Sequence, residues 1–268
     1  MTTSSNIRLS RAPLSVRHTR ILELLNEKGS LLVSDAAAML RVSGMTIRRD
    51  FLELENGGHL VRVHGGAVPP SGMAAREAAE LEPDFDWRLR QHHEAKRRIA
   101  VAAAGLVAGL KAIAVDVGTS TLLLAQQLAP VANQKIFTNS VRVAAELSAP
   151  HREVYLAGGK VRPGELAISG PGAAAQFTDY WFDAAVLGAS SISTLGIFDY
   201  SLEDIEMKRV YVRRATEKIV LCDSSKFLHQ SLSRICPLDE ITVLVTDAPP
   251  PPELAAALAA AGVKVVVA

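Results

Sequence analysis

Cysteine is nearly absent: the 268 residues hold only Cys222 and Cys236. A secreted disulfide scaffold uses more, and a thiolate metal centre needs companions at ligand spacing. Both cysteines are therefore expected to be buried bystanders, and neither a metal site nor a cofactor is expected. Long apolar runs are absent too. No stretch of eighteen apolar residues occurs, and residues 1–16 contain arginines without a following apolar core. Neither a membrane span nor a secretory signal is expected, and a cytoplasmic location follows. There is no tandem repeat. Net charge is small, +1 at pH 7, which taken alone argues against a polyanionic partner. Distribution matters more than the sum. Residues 1–70 hold nine Arg and Lys against six acids, and the first twenty-two carry four arginines and no acid. The excess is modest, so binding of nucleic acid by this region should depend on dimerisation and on salt.

What is present is apolar residue enough, 49%, for one large core and one small one, so two domains are expected. The chain is organised around residues 33–49, VSDAAAMLRVSGMTIRR. Val33, Ala36, Ala37 and Leu40 recur at helical spacing, with Ser34 expected to cap that helix. Val42 can plug a small core while Ser43 and Gly44 break one helix and open the next. From Met45 the pattern resumes: Ile47, Phe51 and Leu54 turn inward, leaving Thr46, Arg48 and Arg49 outside. Arginine presents a planar fork of donors that matches guanine edges and phosphate oxygens. A solvated charged face is the bland alternative; the preceding helix, the tight turn and the following hairpin favour a helix laid into the major groove.

Gly57-Gly58 closes this second helix, and HLVRVHGGAV alternates as a two-stranded hairpin, a wing, would. Arg62 and His64 stand where a wing touches backbone or minor groove, although a lone histidine on a strand is more often merely exposed. The expected DNA-facing set is Ser34, Ser43, Met45, Thr46, Arg48, Arg49, Arg62 and His64. Residues 1–14 read as a disordered arm, and 17–27 as a supporting helix. Pro69-Pro70-Ser71-Gly72 opens a linker that runs to Pro83. The expected organisation is a winged helix-turn-helix over 14–69, a linker over 70–83 and an α/β domain over 84–268.

In that last region a helix over 94–108 precedes seven short apolar runs: 112–116, 135–138, 153–157, 184–188, 218–222, 242–246 and 263–267. Such runs separated by helical patterns fit a mostly parallel sheet covered on both faces. Ligands of open α/β sheets collect at strand carboxyl ends, so strand-to-helix turns are the places to search. Asp116-Val117-Gly118-Thr119-Ser120-Thr121 is one, and its small residues suit either a phosphate cradle at a helix N-terminus or a tight structural turn. Asn139 and Ser140 follow another strand, where Asn139 is placed to cap a helix or to bind a sugar hydroxyl. Gly158-Gly159-Lys160-Val161-Arg162 pairs a flexible turn with cations that are equally able to be solvated. Asp223-Ser224-Ser225-Lys226 follows a further strand, with a lysine able to reach an anion.

TIRRDFLELENGGHLVRVHGGAV resembles the DeoR family of bacterial sugar-metabolism repressors, and the resemblance runs from about Arg17 to the C-terminus. It implies an N-terminal winged helix-turn-helix and a sensor domain similar to ribose phosphate isomerases. The turn at Gly118 then corresponds to a sugar-phosphate site, and Gly158, Gly159 and Arg162 lie beside the pocket. Glu206 and Lys208 resemble the acidic and basic pair of the isomerases, although residues two apart do not share a helix face. Ala189-Ser190-Ser191-Ile192 stands where relatives carry a glycine-richer turn. The function expected is a repressor of a sugar operon, homo-oligomeric (dimer or tetramer), bound to double-stranded operator DNA and relieved by a phosphorylated sugar. An isomerase-like enzyme with an ancillary DNA-binding module is the alternative.

Overall fold

The computed structural model describes residues 14–28, 31–57, 59–63, 66–69, 85–129, 133–150 and 152–268. The N-terminal arm, His64 and the linker lie outside the described residues. The chain divides into two compact units, Met1–Pro83 and Asp84–Ala268.

In the smaller unit, α1 (Leu14–Lys28), β1 (Leu31–Leu32), α2 (Val33–Leu40) and α3 (Gly44–Asn56) are followed by β2 (Val61–Val63) and β3 (Gly66–Val68). The amphipathic spacing decides the packing. Ile21, Leu24 and Leu25 of α1 meet Ala36 and Leu40 of α2 and Ile47, Phe51 and Leu54 of α3 in one small core. Each such Leu, Ile or Phe removed from water contributes about 1.5–3 kcal/mol, which is what holds so small a unit together. The wing has a third strand that the alternation did not reveal. β1 pairs antiparallel with β3, giving the order β1-β3-β2. A two-residue strand carries no readable period, and its partner is set by Gly66, where any Cβ would stand 2.6 Å from the Leu31 carbonyl oxygen.

Ser34 does not cap α2. The helix begins straight off β1, with Leu32 in the cap position and no side-chain cap, and Ser34 is exposed inside the first turn, bonded to Asp35. Ser43 does cap α3, accepting a hydrogen bond from the Thr46 N–H at 3.1 Å.

The larger unit opens with α4 (Phe85–Arg90) and α5 (His93–Val107). Then come β4 (Ala112–Val115), α6 (Thr119–Leu128), β5 (Lys135–Thr138), α7 (Val141–Leu147) and β6 (Glu153–Leu156). A hairpin of β7 (Val161–Arg162) and β8 (Ala167–Ile168) precedes α8 (Pro171–Gln176), β9 (Phe182–Gly188), β10 (Ser191–Ser193) and β11 (Gly196–Asp199). The chain continues through α9 (Leu202–Arg214), β12 (Ala215–Leu221), β13 (Ser233–Cys236), β14 (Val243–Thr246), α10 (Pro252–Ala260) and β15 (Lys264–Val267).

The seven apolar runs become the seven strands of one parallel sheet, ordered β15-β14-β12-β9-β4-β5-β6. Alternate residues feed two cores. Ala185 and Leu187 of β9 face α8, α9 and α10, while Ala184 and Val186 face α5, α6 and α7. The chain runs outward from β4 through β5 to β6, then returns to lay β9 on the other side of β4. The strand order therefore reverses between β4 and β9, and a crevice is expected outside their carboxyl ends. A small antiparallel sheet, β10-β11-β13, also forms, and its strands of three or four residues carried no apolar run to announce them. Among the described residues no helix is long and apolar enough to cross a membrane.

Candidate functional site

The smaller unit exposes the charged face of α3. Ile47 and Phe51 are fully buried, while Met45, Arg48 and Arg49 are exposed and Ser43 and Thr46 stand at the N-terminal end. Arg49 is tethered to Glu53 at 3.3 Å; no such ion pair is seen for Arg48 among the described residues. On β2, the backbone N–H of Arg62 donates to Glu55 at 3.0 Å, which ties the wing to α3. The orientation of α3 is fixed from behind. Asp50 is fully buried on its inner face, and Arg17 of α1 grips both carboxylate oxygens at 2.5 and 2.6 Å, with His18 at 3.4 Å. The Asp50 bond holds the Arg17 guanidinium pKa above its ordinary value. Sequence reading counted Asp50 only as one of six acids in this region and missed the clamp, because α1 and α3 are brought together by the fold alone.

In the larger unit the place where the strand order points to a crevice, at the carboxyl ends of β4 and β9, holds a cluster of buried charge. Asp116, at the end of β4, is fully buried and accepts from the Gly188 N–H at 3.0 Å and from the Lys208 ammonium. Lys208, 2% exposed on α9, also donates to the Gly188 carbonyl at 2.9 Å and lies 3.2 Å from Asp199 at the end of β11. One turn earlier on α9, buried Asp204 pairs with Arg162 of β7. One turn later, Tyr211 donates to Asn139 at 3.2 Å. Burial lifts the Asp116 carboxyl to about 6 against the opposing pull of Lys208. Burial opposes the charge of Lys208 as well, but Asp116, Asp199 and Asp204 together outweigh it and keep the ammonium protonated. Burial likewise raises Asp204 and Tyr211.

Four atoms of this cluster are buried without a hydrogen-bond partner: Asp116 Oδ1, Asp204 Oδ1, Asn139 Nδ2 and Arg162 Nε. An unpaired buried polar atom costs roughly 1–3 kcal/mol, so four in one crevice are a concentrated unfavourable term that a ligand can relieve. Beside them, Gly118 takes φ +147° and α6 starts with no side-chain cap on its N–H groups. Thr119, Ser120 and Thr121 are buried there, and the Thr121 hydroxyl donates to the Gly118 carbonyl at 3.0 Å. This turn offers N–H groups and the positive end of a helix to an anion.

The crevice gathers Asp116, Gly118, Thr119, Ser120, Thr121, Asn139, Arg162 and Lys208 from the expected residues, and leaves others outside. Ser140, not Asn139, caps α7, accepting from the Val143 N–H at 3.2 Å. Gly158 is exposed and bonded through its N–H and carbonyl to Gln176, and Gly159 is exposed next to it. Glu206 is exposed and separated by its helix position from Lys208, whose acidic partners are Asp116, Asp199 and Asp204. Lys226 is half-buried in the 3-10 turn Ser224–Lys226, close enough to Lys96 of α5 to oppose its charge. Asp199, Asp204, Tyr211 and Lys96 were missed. The first lies on a strand with no visible run, whereas Asp204, Lys208 and Tyr211 sit at i, i+4 and i+7 of one helix face, a spacing open to inspection in the sequence.

Both cysteines are free and buried, and burial pushes both thiols up, Cys236 to about 12. Among the described residues no group of His, Cys, Asp or Glu is placed to hold a metal ion.

The two units match known families separately. Residues 17–72 match the DeoR-like helix-turn-helix domain, and residues 91–248 match the DeoR C terminal sensor domain. The HTH-type transcriptional regulator GlpR of Haloferax volcanii is 32% identical over 86% of this chain and 89% of its own length. The glycerol-3-phosphate regulon repressor of Escherichia coli is 29% identical over 88% and 91%. The HTH-type transcriptional repressor GlcR of Bacillus subtilis is 30% identical over 86% and 87%. These relatives are regulators and repressors of transcription rather than enzymes. Among solved structures, ribose 5-phosphate isomerase A of Methanocaldococcus jannaschii overlaps 52% of this chain and 56% of its own, at 17% identity and a TM-score of 0.39. With both units matched in order along one chain, the protein belongs to the DeoR family of helix-turn-helix transcriptional regulators.

Proposed function

We propose that the protein represses a sugar-metabolism operon and that a phosphorylated sugar, bound in the crevice between β4 and β9, releases it from its operator. The domains of this reading are 14–69 for DNA, 70–83 as linker and 84–268 as sensor. The observation that carries it is the coincidence of two features in one crevice: the uncapped N-terminus of α6, and buried, unpartnered acceptors and donors a few residues away. A phosphoryl group takes the N–H groups of 118–121, as anions do at helix N-termini. Hydroxyls donate to Asp116 Oδ1 and Asp204 Oδ1 and accept from Asn139 Nδ2 and Arg162 Nε, which supplies every orphan with the partner type it lacks. Asp116, Asp199 and Asp204 outnumber Lys208 and Arg162, which suits a hydroxyl-rich ligand body better than a second anion. On the DNA side, Arg48 and Arg49 read base edges while Ser43, Thr46 and Arg62 position the backbone. A single reading helix covers few bases, so the working form is a homo-oligomer with at least two copies on the operator, in the cytoplasm.

Isothermal titration of the full-length protein against a panel of pentose, hexose and triose phosphates tests the sensor. One member is expected to bind, with the Thr119 hydroxyl donating to the phosphoryl group beside the N–H groups, and Asn139→Ala and Thr119→Ala are each expected to weaken it at least ~10-fold, the loss of about 1.4 kcal/mol per missing contact. Gly118→Asp is a poor probe, because at φ +147° a side chain strains the backbone before it meets any ligand. Binding unchanged in both variants places the ligand elsewhere.

A further inference from the structure

α4 is the first element after the linker, and it is too short to be stable by itself: six residues make barely more than one hydrogen-bonded turn. What holds it are contacts to the loops that frame the crevice. Phe85 is 2% exposed, with the Arg142 guanidinium of α7 over its ring at 4.3 Å and that of Arg88 at 5.7 Å. Arg88 pairs with Glu165 in the turn between β7 and β8, both side chains nearly buried at 12% and 13% exposure. Arg142 donates to the Gly164 carbonyl of the same turn at 2.9 Å and lies 4.0 Å from Asp86. Behind α4, buried Lys96 donates to the carbonyls of Arg88 and Gln91, and so ties down its C-terminal end.

The β7–β8 hairpin that grips α4 at its tip is rooted in the crevice at its base. Ile168 N–H donates to the Asn139 carbonyl at 2.8 Å, and Val141 N–H to the Leu166 carbonyl at 2.9 Å. Arg162, on the same hairpin, pairs with Asp204 and keeps an unpartnered buried Nε. One short lever thus touches the polar cluster through Arg162 and Asn139 and touches α4 through Gly164 and Glu165.

We infer that α4 is the element through which occupancy of the crevice reaches the linker, with Arg88, Glu165 and Arg142 as positioning residues for the response rather than ligands. The inference rests on the crevice being the effector site. A ligand that satisfies Arg162 or Asn139 changes the hydrogen bonding at the base of the hairpin and so the seat of a helix with no stability of its own. A marginal element with a conditional seat is what a two-state relay requires. A static anchor, by contrast, would hold α4 identically in both states.

Hydrogen exchange on the full-length protein separates these, with inorganic phosphate, ribose 5-phosphate and glycerol 3-phosphate as probes. Exchange is followed in residues 116–121, 161–168 and 85–91. With any probe that protects 116–121, exchange in 161–168 and 85–91 is expected to change as well, about 5- to 150-fold for a coupling of ordinary size. In Glu165→Gln, and independently in Arg142→Ala, 116–121 should still respond while 85–91 no longer does; circular dichroism checks that each variant is folded. Protection of 116–121 with 85–91 unmoved in the wild type overturns the relay and leaves the pocket standing, and so does an intact 85–91 response in both variants. Silence of 116–121 with all three probes overturns the pocket reading and the relay with it.

Discussion

The two units use charge in opposite ways. Among the described residues of the smaller one the buried carboxylate is Asp50, with both oxygens bonded by Arg17, and the side chains available for binding stand in solvent on α3. In the larger one, five charged groups, Asp116, Asp199, Asp204, Lys208 and Arg162, meet in a crevice, and the unpartnered atoms are buried. The difference is what the proposed partners would require. A polyanion is bound by many exposed cations whose desolvation is cheap and whose effect is summed along the backbone. A small polyol phosphate offers few contacts, so each must be made in a dry, enclosed place where one hydrogen bond counts for more. Buried charge is fully paired across α1 and α3 in the first unit, and in the second it includes oxygen and nitrogen atoms without a hydrogen-bond partner, which the proposed ligand would take.

The sharpest way to break that contrast is at Arg17. Arg17→Ala leaves Asp50 buried with only His18 beside it, and removing one partner of a buried pair costs about 3–5 kcal/mol. Calorimetry of the full-length variant should show the smaller unit melting early, with the transition of the larger unit in place. Arg17→Met with Asp50→Leu should recover most of the loss, since an apolar pair of similar volume replaces the charges. If the single variant melts like the wild type, Asp50 is not the keystone of α3.

A smaller effect is expected on the outer face of the same helix. Arg48→Ala should weaken specific operator binding by about 1–3 kcal/mol if its contact is a bidentate one to a base, with stability unchanged. Arg49→Ala should cost less, because Arg49 must first leave Glu53 and an exposed pair of this kind is worth only about 0.3–0.5 kcal/mol. Fluorescence anisotropy on operator DNA decides it, and equal affinities for both variants and the wild type would move the reading surface off α3.

The same contrast explains what the sequence disclosed. α3 was legible because it is an apolar pattern at one period, the seven sheet strands because each is a short continuous apolar run between helical patterns, and the helix-turn-helix carries its turn chemistry in Ser43. The strand-to-helix turn at 118–121 was legible because it directly follows such a strand. Ser34 was misread as a cap because the helix starts directly off the two-residue β1, which puts the cap position at Leu32, two residues earlier. Asp50 with Arg17, 33 positions apart, and Lys208 with Asp116, 92 apart, were illegible as pairs, since nothing local in a sequence announces contacts made only by the fold. Glu206 was drawn in by resemblance, whereas helix geometry alone favoured Asp204, which shares the Lys208 face.

Keeping Asp116 charged in its buried place has a cost, which is read as a slope of stability against pH. Asp116 titrates near 6 in the folded protein against an ordinary value of 3.8, because burial outweighs the Lys208 ammonium. Between those values the folded state binds the Asp116 proton more tightly than the unfolded chain does, so this group makes the larger unit less stable as pH rises from about 4 to 6, and no further above it. Carboxylates with lowered values, such as Glu94 held by Arg97, contribute in the opposite sense, so the net curve need not fall. The difference between variants isolates the group. Asp116→Asn keeps the Lys208 ammonium paired with Asp199 and the Gly188 carbonyl, so the fold is expected to survive. Its melting temperature, compared with that of the wild type, should gain with pH across that window and run parallel above pH 7. Parallel curves throughout would show that Asp116 ionises as freely as a surface carboxylate, and the contrast between an occupied buried charge in one unit and a costly, available one in the other would lose its physical basis.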